Sequence, residues 1–293
     1  MTPNRLQRVH SEIENNFPSH LEWCRSFLRQ KSVSVTGEGI PETAELVKSY
    51  IEEIGGEVSL WGDSLFPIVF GRYNRGFSKT LIIYGMYDVQ PADESEWISP
   101  PFEAQIHNLP GLEDCIIARG AVNSKGALCG LFNALKTMTM TDHIPLNLIF
   151  TIEGEEEIGS PRFESFIRDN RKQLKGDGVV DFDFSQDMRG RVSMHLGLKG
   201  IVYIDLICRG GKMGGPTDVS IHGSASAWIS SPVWRLIHAL SILTDRKENI
   251  KIHGFYGRVA EPDRNDMKLL KKLEKVFDEK SLFQIQPAWY RSS

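Results

Sequence analysis

Acidic residues stand at the ends of three apolar runs, and this is where the chain's side chains could do chemistry. Asp88 follows Leu81-Ile82-Ile83-Tyr84 and Gly85, Glu153 to Glu157 follow Leu146 to Ile152, and Asp181 and Asp183 follow Val179-Val180. Carboxylates delivered from several strand ends are how α/β metallohydrolases assemble a divalent-cation site, whose bound water becomes a nucleophile. The plainer reading of Glu153 to Glu157 is a solvated charge run. Its place between a buried strand and a helix, bracketed by Gly154 and Gly159, favours a site. Lys125 beside Gly126 at a helix start invites a phosphate-loop reading, but the glycine spacing of such a loop is absent. Of the eight histidines none pairs with another at ligand spacing, and only His222, in the small-residue segment Ile221 to Ser226, is a candidate. A GxSxG elbow is absent, so a serine hydrolase is unsupported.

These side chains need elements to position them. Leu6, Val9, Ile13, Phe17, Leu21, Cys24 and Leu28 recur at helical spacing, which predicts a helix over 4–30 that Pro18 kinks or divides. Pro41 opens a second helix, with Leu46, Val47, Tyr50, Ile51 and Ile54 as its apolar face and Gly55-Gly56 as its stop. Strands are expected over 58–61, 67–73, 81–84 and 146–152, and a short one at Val179-Val180. Helices are expected over 126–138 and from a Ser160 cap to about Arg171, with Pro161 in the first turn. This alternation over roughly 40–185 argues for an α/β fold, a mainly parallel sheet with helices on both faces. After Val192 the texture changes. A weakly alternating run over 201–208, a glycine-rich loop over 210–216, a helix over 232–243, a strand over 250–252 and a charged helix over 265–279 read as a smaller α+β unit. The division expected is 1–191 and 192–293, with 283–293 unassigned.

The totals set bounds. The chain has 293 residues, 41% of them hydrophobic, which is enough for a large core or two domains. A net charge of −4 gives no reason to expect nucleic acid or an anionic membrane as partner. No apolar run would span a bilayer, and residues 1–11 lack the apolar core of a signal peptide, so a cytoplasmic location is expected. The four cysteines, Cys24, Cys115, Cys129 and Cys208, have no CxxC spacing and read as reduced thiols rather than disulfides or a zinc knuckle.

Several longer motifs, in order, resemble one family. They are residues 84–91 (Tyr84 to Pro91), 97–102 (Trp97 to Phe102), 119–126 (Arg119 to Gly126), 153–160 (Glu153 to Ser160), 196–200 (Leu196 to Gly200) and 254–256 (Gly254 to Tyr256). Together they resemble the cocatalytic zinc aminoacylases and dipeptidases of the carnosine dipeptidase and acetylornithine deacetylase kind, the dipeptidase branch above all. The resemblance implies a catalytic α/β domain interrupted by a lid domain that usually dimerises. It implies two zinc ions bridged by a carboxylate, and a Glu that takes a proton from the shared water as that water attacks an amide carbonyl. By position, Glu156 matches the general base, Glu157 a zinc ligand, Asp183 the carboxylate ligand of the other zinc, and Asp88 the Asp that orients a His ligand. His222 is the candidate for the lid His that stabilises the oxyanion, with shifted local spacing.

The departures fall on the metal site. Met86 stands where the resemblance implies a His ligand, and a thioether is a soft, neutral, weak ligand for zinc. Asn123 stands where the bridging Asp is implied, and an amide offers one uncharged carbonyl oxygen. Lys199 replaces the usual Arg, and the family's final His segment is expected to be missing from this chain. Three readings follow. The first is a degenerate homologue that keeps the fold and pocket but is weakly active or inactive. The second is a working dipeptidase or N-acyl amino acid deacylase with an altered metal set, or with a partner chain completing the site. The third is an interrupted product, which would expose apolar surface and aggregate. A dipeptide-like or N-acyl amino acid ligand, and a homodimer or complementing chain, are the partners these readings imply.

Overall fold

The computed structural model describes residues 3–110, 112–183, 192, 194–195, 197–198, 200–212 and 214–275. The expected N-terminal helix is two: α1 (Pro3–Asn15) and α2 (Phe17–Arg29). They break at Asn16, so that Pro18 falls in the first turn of α2, where its missing N–H costs no helical hydrogen bond. Helix α3 (Ile40–Glu53) follows, then β1 (Glu57–Trp61), β2 (Ile68–Tyr73) and β3 (Thr80–Met86). A hairpin, β4 (Gln105–Leu109) with β5 (Glu113–Ile117), forms a separate two-stranded sheet that the sequence patterning did not bring out. Then come α4 (Lys125–Thr141), β6 (Asn147–Glu153), α5 (Phe163–Asn170) and β7 (Gly178–Asp181).

The main sheet has the order β1-β2-β6-β3-β7. Its site-bearing strands are parallel: β3 pairs with β6 on one side and with β7 on the other. Strands β1 and β2 join through antiparallel pairings, β2 alongside β6. The expected α/β class is therefore what forms, with the parallel strands where the candidate residues lie. Register brings Met86 beside Glu153 and Tyr84 beside Asp181, so three chain segments leave the sheet at the same edge.

Alternation along the strands fills two cores. Val69, Tyr73, Ile83, Leu148, Phe150 and Ile152 point to one face, where they meet Phe27, Val47, Ile51, Leu128 and Phe132 of α2, α3 and α4. Ile68, Phe70 and Ile149 point to the other, where Phe166 of α5 is fully buried among them. Helix α4 can lie close to β3 because Gly85 has no side chain: a Cβ there would stand 2.8 Å from Leu128 Cδ2. Helix α5 begins later than expected, at Phe163 rather than after Ser160. Ser160 takes a left-handed φ of 52°, and its hydroxyl donates to Glu153 Oε1 at 2.9 Å instead of capping a helix.

The chain divides into two compact units, Met1–Met194 and His195–Ser293. Taken by itself, the second unit contains α6 (Pro232–Leu243) and α7 (Arg264–Leu273). Asp263 caps α7 through a reciprocal capping box with Asp266. The runs expected as strands over 201–208 and 250–252 are not strands. Ile201 to Ile204 are exposed, and among the described residues no ladder pairs with them. Ile250 makes a single bridge to Thr244. An apolar run becomes a strand only where a second backbone accepts its hydrogen bonds. Residues 283–293, Lys199 and the part of the last expected helix beyond 275 lie outside the described residues. None of the described helices is long and apolar enough to cross a membrane.

Gly154 sits where the chain leaves β6, and a Cβ there would collide with the ring of Tyr87. That ring cannot swing away without breaking its hydroxyl's 2.6 Å bond to the Pro67 carbonyl. Gly154→Ala is expected to cost about 1–3 kcal/mol through overpacking, measured as a lower urea midpoint with unchanged slope.

Candidate functional site

The segment after β3 continues the sheet edge for a few residues and is held from both sides. Tyr87 N donates to the Glu153 carbonyl at 2.8 Å, and Val89 N donates to the Ser32 carbonyl at 2.8 Å. The Ser32 hydroxyl donates to the Tyr87 carbonyl at 2.7 Å, and the Ser124 hydroxyl, just before α4, donates to the Asp88 carbonyl at 3.1 Å. Asp88 between them is fully buried. Its two carboxylate oxygens accept the backbone N–H of Glu156 at 3.2 Å and of Glu157 at 3.0 Å. One buried side chain thus fixes the turn that carries both candidate glutamates.

That turn is anchored at its other side too. Glu155 is buried and ion-paired with Arg162, which also reaches Asp63 at 2.9 Å and stacks on the Phe66 ring at 5.2 Å. Gln90 Nε2 donates to the Glu157 carbonyl at 2.8 Å and to its carboxylate at 3.0 Å. Glu153, also buried, accepts at Oε1 from the hydroxyls of Tyr84 and Ser160, each at 2.9 Å. The run Glu153 to Glu157 is therefore not a solvated charge stretch. Asp183 follows β7, whose register is carried on by Phe182 N donating to the Tyr84 carbonyl at 3.0 Å.

Asn123 lies in the loop entering α4, and the amide orientation that satisfies its neighbours turns its nitrogen to Asp183. In that orientation it donates to the Asp183 carbonyl at 3.2 Å and to the Asp183 carboxylate. Met86, at the end of β3, is only 3% exposed. The structure therefore gathers Asp88, Glu156, Glu157, Asn123 and Asp183 at one sheet edge. His222 belongs to the second unit, where it caps a short 3-10 turn and its Nδ1 accepts from Ser224 N at 3.2 Å.

Burial and like charge dominate the electrostatics. Burial pushes the Asp88 carboxyl up to about 6, against the pull of the two N–H groups. Burial, then the charges of Glu157, Asp88, Asp183 and Asp181, push Glu156 up to about 7. Burial raises Glu153 to about 7 despite its two hydroxyl donors, and partial burial with the Asp183 charge raises Asp181 to about 6. Lys125 is not a phosphate ligand. It is fully buried, with its Nζ donating to the carbonyls of Gln30 and Phe27. The sequence pattern missed the parts played by Gln90, Tyr84, Glu153 and the Glu155–Arg162 pair. For Gln90 the one signal was its place in the 84–91 motif.

The donor set does not fit the pair of zinc ions that the resemblance implies. Met86 offers a neutral thioether, and Asn123 offers one amide oxygen while its nitrogen is engaged with Asp183. Among the described residues no three His, Cys, Asp or Glu side chains form a group able to hold a metal.

Parallel strands thus deliver carboxylates to one sheet edge, with a half-buried Glu156 pushed up to about 7 among them. The chain belongs to Peptidase family M20/M25/M40, whose model matches residues 82–288. It is 30% identical over 276 residues to the Cys-Gly metallodipeptidase of Schizosaccharomyces pombe, a match covering 89% of this chain and 56% of the relative. It is 25% identical over 221 residues to the Beta-Ala-His dipeptidase of Mus musculus, covering 73% of this chain and 42% of that one. Its fold is similar to an M20 family metallo-carboxypeptidase from Sulfolobus solfataricus, with a TM-score of 0.78, 35% identity, and coverage of 90% of this chain and 58% of that one. The chain spans about half the length of the curated relatives it matches.

Two outcomes follow for the metal-free chain. Asp88→Asn replaces one accepting oxygen by an NH2 that faces a backbone N–H, so it is expected to lose about 1–3 kcal/mol, read by urea unfolding. The second concerns pH. The raised carboxyls of Asp88, Glu153, Glu156 and Asp181 keep protons in the folded state that the unfolded chain releases near 4. Stability is therefore expected to fall as pH rises from about 4 to about 7 and to level off above, seen as a declining urea midpoint across that window.

Proposed function

We propose that this chain keeps the amide-hydrolase fold and carboxylate cluster of its dipeptidase relatives but has had its two-metal centre dismantled. On this reading it is a weakly active or inactive homologue whose pocket still suits a dipeptide-like or N-acyl amino acid ligand. One observation carries the reading. In the amide orientation that satisfies both groups, Asn123 donates to the Asp183 carboxylate, so the residue at the bridging position can satisfy a would-be ligand directly. A neutral Met86 at the end of β3 points the same way.

In this reading Glu156 stands in the general-base position, Glu157 and Asp183 in ligand positions, and Asp88 in the position that orients the first ligand. The second unit, with His222, corresponds to a lid that contributes to the oxyanion and to dimerisation, and the protein acts in the cytoplasm. Glu156 supports a second reading, a working hydrolase. It stands among the carboxylates where a general base is needed, and Gln90 keeps the Glu157 carboxylate oriented. That reading requires an altered metal set or a partner chain that supplies the missing ligands.

Metal content separates the two. The protein is purified from zinc-supplemented medium, dialysed without chelator and assayed by plasma mass spectrometry. The dismantled site is expected to retain well under one zinc per chain, with no turnover of dipeptides or N-acyl amino acids. The double variant Met86→His with Asn123→Asp is expected to gain bound zinc. About two zinc ions on the natural sequence, the number a cocatalytic centre holds, would overturn the proposal in favour of the working hydrolase.

A further inference from the structure

Away from the carboxylates, helices α2 and α4 bring two thiols together. Cys129, on the second turn of α4, is 1% exposed within the main core, and Cys24 of α2 is half-buried and packs against that cluster. Cys129 Sγ lies 4.0 Å from the Cys24 carbonyl oxygen, so the two cysteines meet where α2 packs on α4. A buried lysine stands beside them, its amine pulled down to about 7 by loss of solvent. Lys125, four residues before Cys129 and so on the same face of α4, holds its Nζ at the C-terminal carbonyls of α2 and 5.1 Å above the Phe27 ring.

The two sulfurs are not equivalent. The Cys129 side chain holds the Cys24 thiol below its ordinary range, while burial raises the Cys129 thiol, with the Lys125 charge opposing. The more exposed sulfur is thus the more acidic one, which is the arrangement of an attacking thiol beside a resolving thiol. The carboxylate site uses neither group.

We propose that Cys24 and Cys129 form a reversible redox pair, oxidised by a peroxide to a disulfide that joins α2 to α4. The Cys24 thiolate attacks one peroxide oxygen, the O–O bond breaks, and Cys24 becomes a sulfenic acid as water leaves. The Cys129 thiol then attacks the Cys24 sulfur, the S–S bond forms as the S–O bond breaks, and the departing hydroxide takes the Cys129 proton to leave as a second water. Two thiols are oxidised and one peroxide is reduced to two waters. The bond ties together residues 105 apart in sequence. It lies one turn from Lys125, and so beside the loop that carries Asn123.

The test uses the full chain. Reduced protein, freed of reductant, is treated with hydrogen peroxide, then denatured and alkylated, digested and mapped by mass spectrometry. The expected product is a Cys24–Cys129 linked peptide from monomeric protein, reversed by dithiothreitol, with Cys115 and Cys208 still alkylated. Cys129→Ser is expected to stop at a sulfenic acid on Cys24 that dimedone traps, and Cys24→Ser to leave Cys129 reduced. The proposal is overturned if wild-type Cys24 passes to sulfinic acid without the linked peptide. It is equally overturned if Cys24 and Cys129 stay fully alkylatable under conditions that oxidise Cys115 and Cys208. Should either serine variant fail to fold, the wild-type peptide map decides alone.

Discussion

A single buried carboxylate organises the candidate site. Asp88 is removed from water and accepts the N–H groups of Glu156 and Glu157. A carboxylate in that place is worth its desolvation only if both oxygens are satisfied, and here two consecutive backbone donors satisfy them. The consequence runs outward. The turn after β6 cannot move independently of the segment after β3, because the glutamates are held through their own backbone N–H groups. Gln90 and the Glu155–Arg162 pair then fix the remaining freedom of the same turn.

The same crowding explains why the residue type at position 123 matters. Carboxylates held this close repel one another unless a cation, a proton or a donor intervenes. In this chain protons and donors fill that part: carboxyls are pushed toward neutrality, and the Asn123 amide donates to Asp183. An Asp at position 123 would add a further charge to the cluster, whereas Asn removes one and supplies a donor. An Asn at position 123 is thus self-consistent with a pocket that holds no metal.

Much of the fold was legible in the sequence because its elements carry strong local patterns. The apolar run of β6 is buried on both faces and that of β3 is at least half-buried along its length, and their lengths and flanking acids announced them. Errors fell where a local signal was overruled by a tertiary demand. Ser160 had the chemistry of a cap but was taken by Glu153, and Lys125 looked like a phosphate ligand but closes the end of α2. The run over 201–208 had strand-like residues but no backbone to pair with among those described. The β4–β5 hairpin went unseen because its strands are short and alternate weakly against only each other.

The sequence by itself determined the residue types at issue: which acids follow which strands, and that a thioether and an amide occupy positions where the resemblance implies ligands. Those facts are covalent and need no folding to be read. Only the tertiary structure decided what those residues do to one another. Parallel register set Met86 beside Glu153 and Tyr84 beside Asp181, burial raised the carboxyls, and the loop into α4 carried Asn123 onto Asp183. Proximity across strands, and exclusion of water from a charged group, depend on residues far apart in the chain, so no local pattern records them.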